Sequence, residues 1–380
     1  MRRILKYKLD VRSFCSFLLV VLALVSGCDR RPLEVMEPMK AEVRLDFDWM
    51  SRYGFTPESM TVMIWRENTL HPQVTHTNNV HSMMLDLDPG TYRVIAYSYS
   101  PDEYGSMDFR DTDDYNTISA RGKDVTLYEN GDWDKDVRYM TDPEDIGVVA
   151  ETFTITDAML LEQVTFHPYE SWIRQRFANT RFYQEADGVY SLPLVIKPVI
   201  TKLNVYVEVG GLENLAELTG SITGMADGFY LTHSYRTEDV RTMLLPTNKW
   251  TKAKDIKEHG TVYLYHQTPV FGLPHGKEHL SARGDDFNVF TIHATMRDGT
   301  TKLYTYNVGK LIKYRGLEEG MEFIHDMHLE LEMDLVLDIS TVGEENIPIF
   351  PDVIPSGDTG SGFGAEVEAW QEGESTDLRF

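Results

Sequence analysis

Cys28 is the residue whose type and position point most directly to a chemical reaction. It follows Leu24-Val25-Ser26-Gly27 at the end of a short apolar stretch near the N-terminus. Small residues before the cysteine fit a peptidase cleft, and the thiol accepts a diacylglyceryl group, so the Leu-Val-Ser-Gly-Cys ending resembles a bacterial lipobox. The sequence therefore predicts that Cys28 is lipidated and becomes the first residue of the mature chain.

Residues 1–27 have the pattern of a signal peptide. Five basic residues accompany an apolar stretch, 14–25, of about a dozen residues. This length is too short to cross a hydrocarbon core of about 30 Å as a helix. An uncleaved anchor helix and a secretory signal with a coincidental cysteine remain as alternatives. The order of charge, apolar stretch, small residues and cysteine favours a lipoprotein, held at the outer membrane or cell surface by several acyl chains.

Cysteine count and charge exclude several kinds of site. The chain has two cysteines, and Cys15 lies in the predicted signal peptide, so no thiol remains for a disulfide, a thiolate metal site or a nucleophile. The chain carries 60 acidic and 36 basic residues, for a net charge of −24. The signal peptide holds five basic residues and one acid, so its removal makes the chain still more acidic. Such a surface repels phosphate backbones, and we expect no nucleic-acid partner.

Motifs of known catalytic sites are absent from the sequence. It contains no G-x-S-x-G elbow, P-loop, G-x-G-x-x-G or H-E-x-x-H pattern. His325 and His328 lie in an alternating block, where their odd spacing directs the two rings to opposite faces. We therefore expect no catalytic residues, no metal site, no cofactor and no enzymatic activity. A lipidated hydrolase remains a minor alternative, because 60 acids supply many carboxylate pairs.

Two polar stretches have other candidate uses. Asp108, Asp111, Asp113 and Asp114 form an acidic loop that lacks the glycine and distal glutamate of an EF-hand, which favours a solvated loop over a calcium site. The spacing of five residues among the histidines at 71, 76 and 81 is attributed to chance. Among the tryptophans, Trp133 lies among acids in a predicted loop and is the candidate for stacking against a sugar.

The element that opens the body of the chain is a predicted strand. From residue 42 the sequence alternates, placing Val43, Leu45, Phe47 and Trp49 on one face and charged residues on the other, as in a half-buried antiparallel strand. Further strands are predicted over 60–65, 82–87, 90–98, 125–128, 148–155, 189–198, 200–209, 261–266, 289–296, 302–308 and 323–337. A turn at 88–90 and a hairpin turn at 297–300 separate neighbouring runs. Residues 220–228 read as a strand or turn, and 157–163 and 171–179 as helical turns.

Many short strands with turns between them predict an all-β protein of two tandem antiparallel β-sandwich domains. We place a tether at 28–41, the N-terminal sandwich at 42–195 and the C-terminal sandwich at 196–340. Residues 341–380 form a tail in which prolines at 348, 351 and 355 exclude a central strand. Within this tail, 365–370 alternates again and is a candidate extra strand.

Several blocks of the sequence resemble the fimbrillin-related lipoproteins of Bacteroidetes. They are Val-Glu-Val-Gly-Gly-Leu-Glu-Asn-Leu at 207–215, Gly-Ser-Ile-Thr-Gly-Met-Ala at 220–226, Asn-Val-Phe-Thr-Ile at 288–292, Arg-Asp-Gly-Thr at 297–300 and Gly-Phe-Gly-Ala-Glu-Val-Glu-Ala-Trp at 362–370. The resemblance implies two transthyretin-like sandwiches. It also implies export as a lipoprotein and a role as a stalk, tip or anchor subunit of type V pili.

The resemblance further implies assembly by donor-strand exchange, in which an incoming strand fills the groove left when a trypsin-like protease removes the first strand. The displaced strand would then carry Val43, Leu45, Phe47 and Trp49, and Arg52 would be the residue at which it is cut. Arg52 as an ordinary surface arginine is the alternative, since an anchor subunit keeps its first strand. A donor or edge strand would be formed by Ala365, Val367, Ala369 and Trp370.

The sequence and the resemblance together predict a non-enzymatic surface lipoprotein, which acts as a structural, anchor or accessory subunit of a pilus. Its expected partners are the membrane, through the lipid on Cys28, and other pilus subunits, through strand addition. A glycan-binding surface lipoprotein is the alternative.

Overall fold

A computed structural model of the protein describes residues 40–49, 56–125, 137–160, 175–176, 182–184, 189–233, 235–256, 260–278, 280–314, 334–339 and 347–352. Almost all of its regular structure is β-strand. The strands are β1 (Ala41–Trp49), β2 (Met60–Arg66), β3 (Gln73–Thr77), β4 (Ser82–Leu87), β5 (Gly90–Ser98), β6 (Met107–Arg110), β7 (Ser119–Gly122), β8 (Tyr139–Met140), β9 (Gly147–Ile155), β10 (Gln175–Arg176), β11 (Tyr183–Gln184), β12 (Tyr190–Pro198), β13 (Thr201–Val209), β14 (Leu215–Ala226), β15 (Gly228–Tyr230), β16 (Val240–Leu245), β17 (Thr251–Ile256), β18 (Thr261–Val270), β19 (Val289–Met296), β20 (Thr301–Asn307), β21 (Lys313–Tyr314) and β22 (Leu335–Asp338).

Within the described residues, helical structure is confined to short pieces. Residues 157–160 are helical, and 3₁₀ turns lie at Pro101–Glu103, Leu212–Asn214, Thr247–Lys249 and Leu280–Ala282. Among the described residues, no helix has both the length and the apolar character needed to span a membrane. The predicted all-β fold is confirmed.

Two layers of strands form the N-terminal half. One layer has the order β11-β12-β1-β4, and the other has the order β9-β5-β2-β3. β12 joins the layers, because its last two residues leave β1 and pair with the start of β9. The inward faces of both layers meet in one core that includes Leu45, Val62, Val94 and Phe153. The alternation read from the sequence therefore does mark the buried faces here.

The pairing of β1 differs in part from the sequence prediction. β1 is antiparallel to β4, as expected, but it is parallel to β12 over Val43 to Trp49. Alternating hydrophobicity reports which face of a strand is buried and does not report the direction of its neighbours. β1 is thus a central strand with a partner on each side.

The C-terminal half is built the same way, from two five-stranded sheets. Their orders are β17-β18-β13-β22-β21 and β20-β19-β14-β16-β8. The predicted hairpin at 297–300 is confirmed, since β19 and β20 pair antiparallel over seven residues. Residues 220–228, read as a strand or turn, lie mainly in the 12-residue strand β14. The core between the sheets contains Val205, Ile222, Leu264 and Phe290.

A third cluster of buried residues connects the two halves. The described residues of the segment 107–140 contact both halves. Phe109 stacks on Tyr97 of the first half, with ring centroids 4.9 Å apart, while β7 pairs with β15 and β8 pairs with β16. Ile118 and Ala120 of this segment pack with Phe229 and Phe271 from the second half. The segment is therefore held to the second half by hydrogen bonds and by apolar packing.

The proline-containing segment at 347–352 also contacts the second half. As the sequence predicts, it forms no central strand, and Ile349 makes only an isolated parallel bridge to Gly210. Phe350 is buried, and its N–H donates a hydrogen bond of 2.8 Å to the Gly210 carbonyl. Gly211 has φ +71°, and a Cβ there would lie 2.1 Å from the Phe350 carbonyl oxygen, so this close approach requires glycine.

Candidate functional site

The candidate site is the slot that β1 fills between β4 and β12. Residues 43–49 lie opposite 190–196 of β12, and residues 41–46 lie opposite 82–87 of β4 in reverse. Both backbone edges of β1 are therefore engaged over most of its length. A strand in this position holds its two neighbours together as well as contributing to the core.

The inward side of β1 is apolar and buried. Ala41, Val43 and Leu45 have no exposed surface, Phe47 is 5% exposed, and Trp49 is half-buried at the edge of the same core. Side chains grow along the strand from alanine to tryptophan, so the slot widens toward the end of β1. Burying each of the larger side chains stabilises the fold by roughly 1.5–3 kcal/mol. The predicted apolar face of the strand is confirmed.

The outward side of β1 is polar. Arg44 and Asp46 form an ion pair of 2.7 Å between Nε and Oδ1, and both side chains are about 30% exposed. This pair connects neighbouring outward positions of the same strand. An exposed pair of this kind stabilises by less than about 1 kcal/mol, so most of the strand's attachment comes from the backbone and the inward side chains.

The end of β1 is fastened to the loop before β4. The Trp49 indole N–H donates to the Val80 carbonyl at 2.7 Å, and the Phe47 backbone N–H donates to the His81 carbonyl at 2.8 Å. The Trp49 ring also lies against Gly147, where a Cβ would come within 2.9 Å of the ring. These contacts fix the strand at the end that leads toward residue 52.

Taken together, these contacts define what the site does physically. If β1 were absent, the facing edges of β4 and β12 would lose their partner. The space that the side chains of Val43, Leu45 and Phe47 occupy in the core would be empty. Unpaired edges of this kind bind an added strand through main-chain hydrogen bonds, while alternate side chains set its register. The contacts at this site are main-chain hydrogen bonds and apolar packing.

Several residues singled out in the sequence lie outside the described residues. They are Cys28, Arg52, Trp133, His325, His328, Ala365, Val367, Ala369 and Trp370. Trp65, the last residue of the predicted strand 60–65, is buried in the third cluster, and Trp49 of β1 is half-buried. Residues 323–333 of the last long predicted strand and 126–128 of a short one also lie outside.

The acidic side chains at 108, 111, 113 and 114 are exposed, the first of them in strand β6 rather than in a loop, and two of them contact basic side chains. Asp108 lies 3.6 Å from the Lys123 ammonium, and Asp113 lies 3.2 Å from the His71 ring. Asp114 accepts a hydrogen bond from the Asn116 backbone N–H. Within the described part of the chain, no group of three or more histidine, cysteine or acidic side chains is placed to hold a metal.

The residues that form the walls of the slot were not identified from the sequence. Val80 and His81 contribute carbonyls from a loop, Leu85 and Leu192 contribute side chains from the flanking strands, and Gly147 makes room for Trp49. The alternation in 82–87 and 189–198 marks both strands, but nothing in it says that β1 lies between them.

The family model described as "Domain of unknown function (DUF5119)" matches residues 27–246. The chain is also similar to the protein named "Putative fimbrium anchoring subunit Fim4B" from Bacteroides ovatus. The two are 21% identical over 377 residues, which cover 95% of this chain and 96% of the relative. The resemblance to fimbrial proteins of Bacteroidetes, first seen in the sequence motifs, is confirmed by this match.

Solved structures give weaker likenesses. A crystal structure described as a "putative adhesin" from Bacteroides ovatus is 16% identical, with a TM-score of 0.49 covering 72% of this chain and 84% of that one. The fimbrial anchor protein Mfa2 from Porphyromonas gingivalis is 11% identical, with a TM-score of 0.35 covering 67% and 77% of the two chains.

Proposed function

This chain belongs to the DUF5119 family, and from that premise we propose that it is a non-enzymatic anchor or accessory subunit of a fimbrium. The similarity to the Bacteroides ovatus fimbrial protein extends over almost the whole of both chains. The observation that carries the proposal is the position of β1. It is a central strand that follows the predicted tether and lies between β4 and β12, whose facing edges would be unpaired without it. We further propose that the protein is attached to the outer membrane by a lipid on Cys28.

In the proposed role, strand addition joins this protein to other subunits. A subunit that keeps β1 has its groove filled and can act only as a donor or an end point. A subunit that loses β1, for example after cleavage at Arg52, can accept a strand. Since the lipid on Cys28 is joined to the body through β1, cleavage at Arg52 would leave the body joined to its lipid only by the non-covalent contacts of β1. Retention of β1 therefore fits an anchor, and loss fits a polymerising subunit.

The tail supports a donor role toward a different subunit. Its residues 365–367 repeat the Ala-Glu-Val of 41–43. If residues 365–367 took the places of 41–43, however, Ala369 would take the position of Leu45, and Trp370 would face outward where Asp46 lies. Replacing a buried leucine by alanine costs about 2–5 kcal/mol. The tail thus fits this groove less well than β1 does, which favours another subunit as its acceptor.

Strand exchange gives a direct test of the groove. The mature protein is treated briefly with trypsin, the trypsin is inactivated with a covalent inhibitor, and a fluorescent peptide with the sequence of residues 41–49 is then added. We expect the cut protein to take up the peptide and release its own strand, while the uncut protein does not. A peptide with Leu45→Asp and Phe47→Asp is the control and should not be taken up. Failure of the cut protein to bind the unaltered peptide would contradict the strand-binding proposal.

The mature N-terminus of protein isolated from cells tests the anchor role separately. Mass spectrometry should find acylated Cys28 at the N-terminus, with the protein recovered in the outer-membrane fraction together with filaments. A mature chain that begins just after Arg52 would instead indicate a polymerising subunit. A soluble, unmodified chain that does not associate with filaments would oppose both roles.

A further inference from the structure

A cavity of about 600 Å³ lies in the first half, away from the β1 slot. It is bounded by β3, by the end of β5 with the turn Pro101–Glu103 that follows it, and by the loop at 112–113. Sites for small ligands have volumes of about 300–1,000 Å³ and combine an apolar surface with a few fixed polar groups. The cavity has this size, and its lining combines apolar residues with a larger share of polar ones than is usual for such a site.

Glu103 is a fixed acceptor at the rim of the cavity. Its carboxylate accepts a hydrogen bond of 2.7 Å from the Ser100 backbone N–H and one of 3.2 Å from the Ser59 hydroxyl. These hydrogen bonds, that from the Ser100 N–H foremost, lower the pKa of Glu103 and keep it ionised near neutral pH. An ionised carboxylate only accepts hydrogen bonds, so the ligand group that meets it must be a donor.

His76 is a second fixed group. The Thr61 hydroxyl donates its one hydrogen to the Tyr99 carbonyl at 2.6 Å, so the 2.8 Å contact between this hydroxyl and His76 Nδ1 requires Nδ1 to be the donor. In the neutral ring this leaves Nε2 as an acceptor. The ring itself is exposed on β3, with its orientation set by the bond to Thr61.

Between these polar groups the lining is apolar. Met60, Met63 and Tyr97 are buried and form part of the lining, and Val74 of β3 contributes a side chain that is 46% exposed. An apolar surface flanked by acceptors suits a ring whose faces are C–H groups and whose edge carries hydroxyl donors.

The charge of the lining is negative. Asp102, Glu103 and Asp113 line the cavity, and no lysine or arginine occurs among the described residues that line it. Anionic ligands are therefore repelled. Glu103 accepts from Ser100 and Ser59, and Asp113 contacts His71 at 3.2 Å, so part of the acceptor capacity of these carboxylates is used within the protein and the rest is left for a ligand.

We propose that this cavity binds an uncharged saccharide unit, with sugar hydroxyls donating to Glu103 and to His76 Nε2 and the sugar ring lying on the apolar surface between them. This site is separate from the β1 slot, so it adds a ligand to the proposed fimbrial role without depending on it.

Calorimetric titration of the mature full-length protein tests the proposal. The probes are hexasaccharides of glucose, mannose and N-acetylglucosamine, with a heparin hexasaccharide and pentalysine as charged comparisons. We expect at least one neutral oligosaccharide to bind and neither charged probe to do so. Failure of all neutral probes, or binding of pentalysine or heparin in their place, would overturn the proposal.

Variants locate the binding. Val74→Arg places a long side chain in the cavity, and His76→Phe removes the acceptor, so each should weaken binding at least roughly tenfold. Val195→Arg is the matched control, since Val195 is 40% exposed on β12 and is not part of the lining. Thermal unfolding should show all three variants folded. If Trp133→Ala abolishes binding and Val74→Arg does not, the sugar binds elsewhere and the proposal is wrong.

Discussion

The indole N–H of Trp49 donates a hydrogen bond of 2.7 Å to the carbonyl oxygen of Val80. Trp49 is the last residue of β1, and Val80 lies in the loop that leads into β4, the antiparallel neighbour of β1. The bond therefore connects the end of the candidate exchange strand to one wall of its slot. Any movement of the C-terminal end of β1 out of the slot must break this hydrogen bond.

Trp49→Phe removes this hydrogen bond and keeps an aromatic ring at the position. We expect the free energy of unfolding to fall by about 1 kcal/mol, the net contribution of a single hydrogen bond, plus a smaller packing loss. Hydrogen exchange should rise first at residues 41–49, because local release of the strand becomes easier. Denaturant unfolding and residue-resolved amide exchange measure the two effects.

Trp250→Phe is the matched control, because Trp250 also donates its indole N–H to a carbonyl, that of Leu245, but lies in the core of the second half. It should lower stability without raising exchange in 41–49 selectively. If both variants raise exchange in β1 equally, the Trp49 bond does not fasten the strand.

Leu45→Ala should destabilise the protein far more than Asp46→Ala, although the two residues are neighbours in β1. Leu45 is fully buried, and its truncation leaves a cavity that costs about 2–5 kcal/mol. Asp46 faces outward in a partly exposed ion pair, so its loss costs less than about 1 kcal/mol. Urea unfolding of both variants checks the difference, and similar losses would show that the inward face does not hold β1 in place.

The sequence predicted the strand positions well where apolar residues alternate. The bounds of β4, β5 and β19 were predicted to the residue, and those of β1, β9 and β12 to within one residue. β3 was missed because Gln73–Thr77 has four polar residues among five, and β16 was missed because Arg241 interrupts its apolar run.

The candidate site could be predicted only in part. The strand with Val43, Leu45, Phe47 and Trp49 was found from its alternation, but its parallel pairing with β12 was not. That pairing joins residues about 150 positions apart, and its register depends on tertiary packing that no local pattern records. The pairing of β8 with β16 could not be predicted either, because Tyr139–Met140 is too short to show any period.

His266 makes stability depend on pH. It has no exposed surface within β18, and burial, together with repulsion from Lys249, lowers its pKa to about 4. In the unfolded chain the pKa is about 6.5, so between these values the unfolded state binds the extra proton. The stability associated with the neutral, buried His266 is fully present above pH 6.5. It is lost as the pH falls toward 4, by an amount on the order of 3 kcal/mol.

His266→Met removes the titrating group and keeps an apolar side chain of adaptable shape. As the pH falls from 6.5 to 4, the original protein should lose more unfolding free energy than the variant, whatever the difference between the two at pH 7. Chemical denaturation at several pH values measures this, and parallel pH curves for the two proteins would contradict the assignment.

Asp227 and Asp239 both pair with the same guanidinium nitrogen, Nη1 of Arg121, at 3.1 and 2.6 Å. Their side chains differ in exposure, 3% for Asp227 and 70% for Asp239. Arg121 lies in β7, so both contacts connect the segment 107–140 to the second half of the chain. The two carboxylates share the Arg121 contact but differ in burial, and Asp227 also accepts a hydrogen bond from the Thr237 hydroxyl.

Asp227→Ala should cost about 3–5 kcal/mol, because it leaves Arg121, only 13% exposed, without its buried partner and also removes the acceptor of the Thr237 hydroxyl. Asp239→Ala should cost less than about 1 kcal/mol, since water replaces the exposed carboxylate. Urea unfolding measures both losses, and amide exchange in β7 should rise only in the Asp227 variant. Equal losses would show that burial of Asp227 does not fasten this segment to the second half.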